Sequence, residues 1–119
     1  MLRKSLVSLT LAGFMSVGAT TAFGEVHVVT IYDNHFMPPL VYANPGDTIR
    51  FLNDDEVARQ ALAKDESWST DSLAPSESFD VQVASGMDLT FESADMSTYE
   101  DGETANPEGA VTFDPAPVD

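Results

Sequence analysis

An all-β fold, a Greek-key β-sandwich of about seven short strands, is what this chain predicts, and three observations predict it. Short segments rich in β-branched and aromatic residues recur along it, the first being Val26 to Tyr32. Turn-forming clusters separate them, with Asn44-Pro45-Gly46-Asp47 the strongest. An amphipathic helix of useful length is nowhere visible.

Taken in order, Val26 to Tyr32 reads as the first strand, and Asp33 to Pro39 as a loop, because Pro38-Pro39 cannot sit inside a central strand. Leu40 to Ala43 is a short strand leading into the Asn44–Asp47 turn, where Pro45 presets φ and Gly46 tolerates a positive φ. Thr48 to Asn53 follows, with Ile49 and Phe51 on one face. Asp54-Asp55-Glu56 is a charged, exposed connection, and Val57 to Ala63 fits either a strand or a turn of helix. Ser67 to Ser76 is irregular, anchored on the core by Trp68 and Leu73. Ser78 to Val83 alternates, with Phe79, Val81 and Val83 inward and Asp80 and Gln82 outward. Leu89 and Phe91 resume the inward alternation, Ala94 to Gly109 is a long acidic loop, and Ala110 to Phe113 closes the sheet.

Residues 1–24 carry the three parts of a secretory signal. Arg3 and Lys4 precede an apolar stretch from Leu6 to Val17, and Ala22-Phe23-Gly24 has the small-x-small form of a cleavage site. Cuts after Ala19 or Ala22 also fit, but Gly24–Glu25 fits best. The apolar run is short for a bilayer span and no second one exists, so no membrane insertion is predicted. The absence of cysteine also removes the attachment point of a lipid anchor. The expectation is therefore a periplasmic or secreted protein, with residues 25–119 as a single domain. That domain keeps Arg50, Arg59 and Lys64 against all 20 Asp and Glu, a surplus of 17 negative charges. Nucleic acid is excluded as a partner at that charge. A solvated acidic surface is the ordinary explanation; life in high salt, divalent cations or a basic protein partner are the others. With no cysteine, the exported domain relies on its core and not on disulfides.

The order of motifs resembles the cupredoxin (blue copper protein) family across essentially the whole of Val26 to Phe113. Tyr32-Asp33-Asn34-His35-Phe36-Met37-Pro38 is similar to the family's D-x-x-F-x-P strand end. Pro45-Gly46-Asp47-Thr48-Ile49-Arg50-Phe51-Leu52-Asn53 matches its G-D-T-V-x-F-x-N segment. Leu73-Ala74-Pro75-Ser76-Glu77-Ser78-Phe79 looks like its L-x-P-G-E-S-F turn, with Ser76 for the usual Gly, and Gly109 to Phe113 resembles its closing strand. The resemblance implies a type 1 copper held by two His, one Cys and an axial Met, but the ligand positions are degenerate. Arg59 stands where the first His is expected and Ser93 where the Cys is expected. Met96 and Tyr99 lie too far from Gly109 to match the remaining ligands simply. Without the thiolate whose covalent bond to copper defines the centre, blue-copper electron transfer is ruled out.

Three other metal sites can be read from the residues. A cut after Gly24 leaves Glu25-Val26-His27, whose amine, two amides and imidazole can wrap a square-planar Cu(II) or Ni(II). Otherwise His27 is an ordinary strand residue. His35 and Met37, two apart in an extended loop, offer an imidazole and a thioether to copper, with His27 as a third donor; alternatively they are an exposed His beside a core Met. The acidic loop with Asp95, Glu100, Asp101, Glu103 and Glu108 offers oxygen donors to Ca²⁺, without a diagnostic spacing. No Ser–His–Asp arrangement or distinctive carboxylate pair exists, so no catalytic residues and no enzyme activity are predicted. The reading that results is an exported cupredoxin-like binding or accessory module with no required cofactor. The alternative is a copper-handling protein that holds Cu(II) through its mature N-terminus and His27 without transferring electrons.

Overall fold

The computed structural model describes residues 24–118. The predicted signal lies outside the described residues except for Gly24. The strands are β1 (Val26–Tyr32), β2 (His35–Met37), β3 (Leu40–Tyr42), β4 (Thr48–Asn53), β5 (Ala61–Ala63), β6 (Ser78–Gln82), β7 (Thr90–Ser93), β8 (Ser97–Thr98), β9 (Thr104–Ala105) and β10 (Glu108–Thr112). Two mixed four-stranded sheets, in the orders β2-β1-β4-β6 and β3-β10-β7-β5, carry eight of them, an arrangement compatible with a β-sandwich. β8 and β9 form a separate two-stranded ribbon. Among the described residues no helix is long and apolar enough to cross a membrane.

The first hairpin shows how local chemistry sets the path. Asp33 and Asn34 both take positive φ, 52° and 58°. That pair of left-handed residues makes a two-residue turn whose twist matches the flanking strands, and Asp and Asn tolerate it better than other side chains. It folds His35–Met37 back on β1 in the register Tyr32↔His35 and Thr30↔Met37. This corrects the expectation of a plain loop from Asp33 to Pro39. Pro38 and Pro39 do end the strand, and they direct the chain into the other sheet, where β3 runs parallel to β10. The Asn44–Asp47 turn returns it, with Gly46 at φ 97° and the Asp47 amide donating to the Asn44 carbonyl. β4 then lies parallel to β1 and antiparallel to β6.

Both sheets bury one face against the other. Val29, Ile31, Ile49, Phe51 and Val81 come from one, and Val41, Ala61, Phe91 and Val111 from the other. Phe91 stands edge-on to Phe36 and to Phe51, at ring-centroid distances of 4.9 Å and 5.1 Å. Trp68 packs 6.0 Å from both Phe51 and Phe91, and its indole N–H donates to the Asp88 carbonyl. Leu73 is buried, as expected for an anchor. Phe79, expected inward, faces Phe51 across the sheet yet remains 38% exposed, because β6 is an edge strand among the described residues.

Phe91→Ala should lower the unfolding free energy by about 3–5 kcal/mol in a denaturant titration followed by Trp68 fluorescence, since it empties a ring-sized volume in the centre. A change on the exposed ribbon turn, Glu103→Ala, should stay within about 0.5 kcal/mol.

Candidate functional site

Polar side chains converge at both ends of the apolar core, and the two ends are built differently. At the first hairpin, the turn amides of Asp33 and Asn34 both donate to the Asp55 carboxylate, at 2.6 Å and 2.9 Å. Successive N–H groups in left-handed backbone make such an anion-holding concavity. Arg59 Nε donates to the same carboxylate at 2.7 Å, and its NH1 group reaches Asp95 at 3.0 Å. Burial pushes the Asp55 carboxyl up, but the Asn34 amide, the Arg59 guanidinium and the Asp33 amide outweigh it and hold it below the ordinary range.

Beneath this cluster the Asn34 side chain is buried. Its amide donates to the Asp95 carbonyl and to Ser97 Oγ, while its carbonyl oxygen accepts from the Ser93 hydroxyl. Ser93 Oγ in turn accepts from the Asp95 amide, and the Ser93 carbonyl accepts from Asn106. Asn53, fully buried, spans Val57, Leu73 and Asp55. Buried polar groups must find partners, and these do. Outside them lies an open cleft of about 510 Å³ lined by Tyr32, Asp33, Asp54, Asp55, Glu56, Val57 and Arg59.

The structure therefore brings Arg59 and Ser93 to one end of the molecule, linked through Asp95 and through Asp55 and Asn34. The residues present do not fit a type 1 copper. A guanidinium held in two ion pairs has no lone pair to give, the Ser93 hydroxyl is committed to Asn34, and the chain contains no thiolate. Asn34, Asp55 and Asp95 were not legible as partners of these positions. Their spacing in sequence is irregular, and only the hairpin turn, with its Asp-Asn pair, carries a local signal.

The opposite end is built on Asp47, which is only 4% exposed. Its Oδ1 accepts from the Glu25 amide nitrogen at 2.9 Å, and its Oδ2 accepts from the Asn44 amide at 3.0 Å. His27 Nε2 lies 2.9 Å from the same Oδ2, and Glu25 Oε1 lies 3.8 Å from Nε2. Glu25, His27 and Asp47 each place one ligand atom within 4.8 Å of the others, the one such trio of metal-ligating residues among the described residues. The His27 hydrogen bond, with help from the Asn44 and Glu25 amides and against burial, lowers the Asp47 pKa below the ordinary carboxylate value.

The sequence reading named Glu25, for its amine and not its carboxylate, and His27, but not Asp47, which is brought in by the parallel register Val26↔Thr48. The register also separates the four candidate ligands. His27 pairs with Ile49 at one end of β1, while His35 pairs with Tyr32 five residues further on. At about 3.3 Å per residue that is roughly 16 Å, so His27 does not join His35 and Met37. Those two share the outward face of β2 opposite buried Phe36. Met37 is thus an exposed methionine and not a core one. His35 Nδ1 lies 2.6 Å from the Asp33 carbonyl, and its ring stands edge-on to Tyr99. In the acidic loop, Asp95 is taken by Arg59 and Glu108 by Lys64, which disperses the donors read there.

No family model matches the chain, and no curated protein matches it significantly.

A carboxyl whose folded-state pKa is depressed adds stability that is fully present above its unfolded-state pKa and is lost as the pH falls through the folded one. Asp47 and Asp55 both work in that direction. Unfolding midpoints measured from about pH 7 down to pH 2 should therefore drop on the acid side of about pH 4. Asp47→Asn should flatten that drop as well as lowering the neutral plateau. Separately, Asn34→Ala should cost about 1–3 kcal/mol by leaving the Ser93 hydroxyl without its buried acceptor, read by the same unfolding measurement.

Proposed function

We propose that this protein is an exported, cupredoxin-like binding or accessory module with no type 1 copper centre. The observation that carries the reading is the closed hydrogen-bond network at Asn34, Asp55, Arg59, Ser93 and Asp95. The end of the sandwich where the family resemblance would place a metal is instead filled by side chains that satisfy one another. Such a network rigidifies the loops around it and offers no reacting group. What those loops present to solvent is a surface for another molecule. Tyr32 and Val57 are exposed beside Asp33, Asp54 and Glu56, so apolar contact and negative charge occur together, and Met96 and Tyr99 are exposed on the segment that follows Asp95. A basic protein partner suits that surface, because association between opposite charges speeds encounter and sets orientation.

A second reading, copper handling without electron transfer, is supported by the trio of Glu25, His27 and Asp47 at the other end. An imidazole with carboxylates suits a borderline divalent ion.

Replacing Val57 by a photo-crosslinking amino acid in the exported chain tests the leading reading. Irradiation in the protein's own host should give a discrete adduct with a basic protein, and molar salt before irradiation should suppress it. Failure to form any adduct from Val57 or from Tyr99 positions would overturn the reading. Titration of the same exported protein with copper should give no intense visible thiolate-to-copper band.

A further inference from the structure

We infer that Glu25, His27 and Asp47 form a side-chain site for a borderline divalent cation, Cu(II) above Zn(II), which does not depend on a free amino terminus. The inference deepens the second reading above and rests on it, but it names a different ligand set from the amine and amides of a three-residue terminus.

Three observations carry it. The Asp47 carboxylate is oriented before any ion arrives, because the Glu25 amide nitrogen holds Oδ1 and the Asn44 amide holds Oδ2. Outer hydrogen bonds of this kind fix a ligand's direction and raise affinity. The spacing then suits a metal without rearrangement. Two donors each about 2.1 Å from an ion and at right angles stand about 3.0 Å apart, and His27 Nε2 lies 2.9 Å from Asp47 Oδ2. Finally, Glu25 is exposed, with its Oε1 3.8 Å from Nε2, so it can close on the ion while leaving coordination positions open to water. The ion takes the place of the His27–Asp47 hydrogen bond, with the neutral imidazole carrying its proton on Nδ1 so that the Nε2 lone pair faces the ion. One imidazole and two carboxylates then follow the usual affinity order, with Cu(II) the tightest.

The competing amide-wrapped arrangement meets an obstacle in the sheet. The Thr48 amide donates to the Glu25 carbonyl. Backbone polar groups alternate sides along a strand, so the His27 N–H points to β4 as well. Using that nitrogen as a ligand means peeling the first residues of β1 from β4.

The test uses protein exported from the full chain, its N-terminus mapped by mass spectrometry, titrated with Cu(II) and with Zn(II) against a chromophoric chelator. One equivalent should bind, Cu(II) more tightly. His27→Ala should weaken binding by more than about 100-fold, beyond the ~10–100-fold typical of losing an outer-sphere partner. Glu25→Gln, on an exposed side chain that folding does not need, should weaken it by at least about tenfold. One alanine added before the mature N-terminus should leave affinity within about twofold. If that extension abolishes binding while Glu25→Gln has no effect, the side-chain site is wrong and the terminal amine–amide site stands. If neither ion binds, both fail.

Discussion

The edge-to-face contact between Phe51 and Phe91 joins the centre of one sheet to the centre of the other, and much else follows from it. Both rings are fully buried, on β4 and β7, strands that lie inside their sheets and not at the edges. In a strand, side chains two apart share a face. Facing Phe51 inward therefore faces Ile49 and Asn53 inward, and facing Phe91 inward does the same for Ser93. Asn53 and Ser93 lie two residues beyond the rings toward the same end, and both are buried. A one-residue slip would expose every apolar group of a strand, so the register is strongly held. The polar pair arrives at the end of the core as a consequence of burying the aromatic one, and it has to be satisfied there.

The same alternation operates at the other end. Along β1, Val29 and Ile31 face the core, so His27 does too. Asp47 precedes Ile49 by two residues and comes in from the turn. The apolar interior is thus closed by a polar cluster at each end, and the two differ in how completely they are satisfied. Around Asn34 and Ser93 the donors and acceptors are matched within the fold. Around Asp47 two backbone amides do the orienting, while His27 and Glu25 remain partly in contact with solvent. One end is closed within the fold; the other keeps polar side chains at the surface.

Charge acts on a longer scale. Arg50, Arg59 and Lys64 are each committed to carboxylates, so none is free to offset the remaining acids. The Arg50–Asp80 pair bridges β4 and β6 on the outer face with two hydrogen bonds. Exposed pairs of this kind add little stability. The unpaired acids repel one another, and salt weakens that repulsion beyond about 8–10 Å. An acidic chain without disulfides is left dependent on its packed aromatic centre.

Much of this was legible in the residues themselves. The all-β class, the strand limits of Val26–Tyr32 and Thr48–Asn53, the Asn44–Asp47 turn and the anchoring by Leu73 are all local matters of alternation, φ preference and turn chemistry. The absence of a thiolate was legible for the same reason, since a missing cysteine is missing in any fold. Tertiary structure decided the rest. It made β2 a strand, because Tyr32 and Thr30 supply the partner that three residues cannot supply alone. It left Phe79 half out, because edge position is a property of the sheet and not of the segment. Above all it set Asp47 beside His27, twenty residues away, through a parallel pairing that no local pattern encodes. By itself the sequence determined which residues face inward; only the register decided which of them meet.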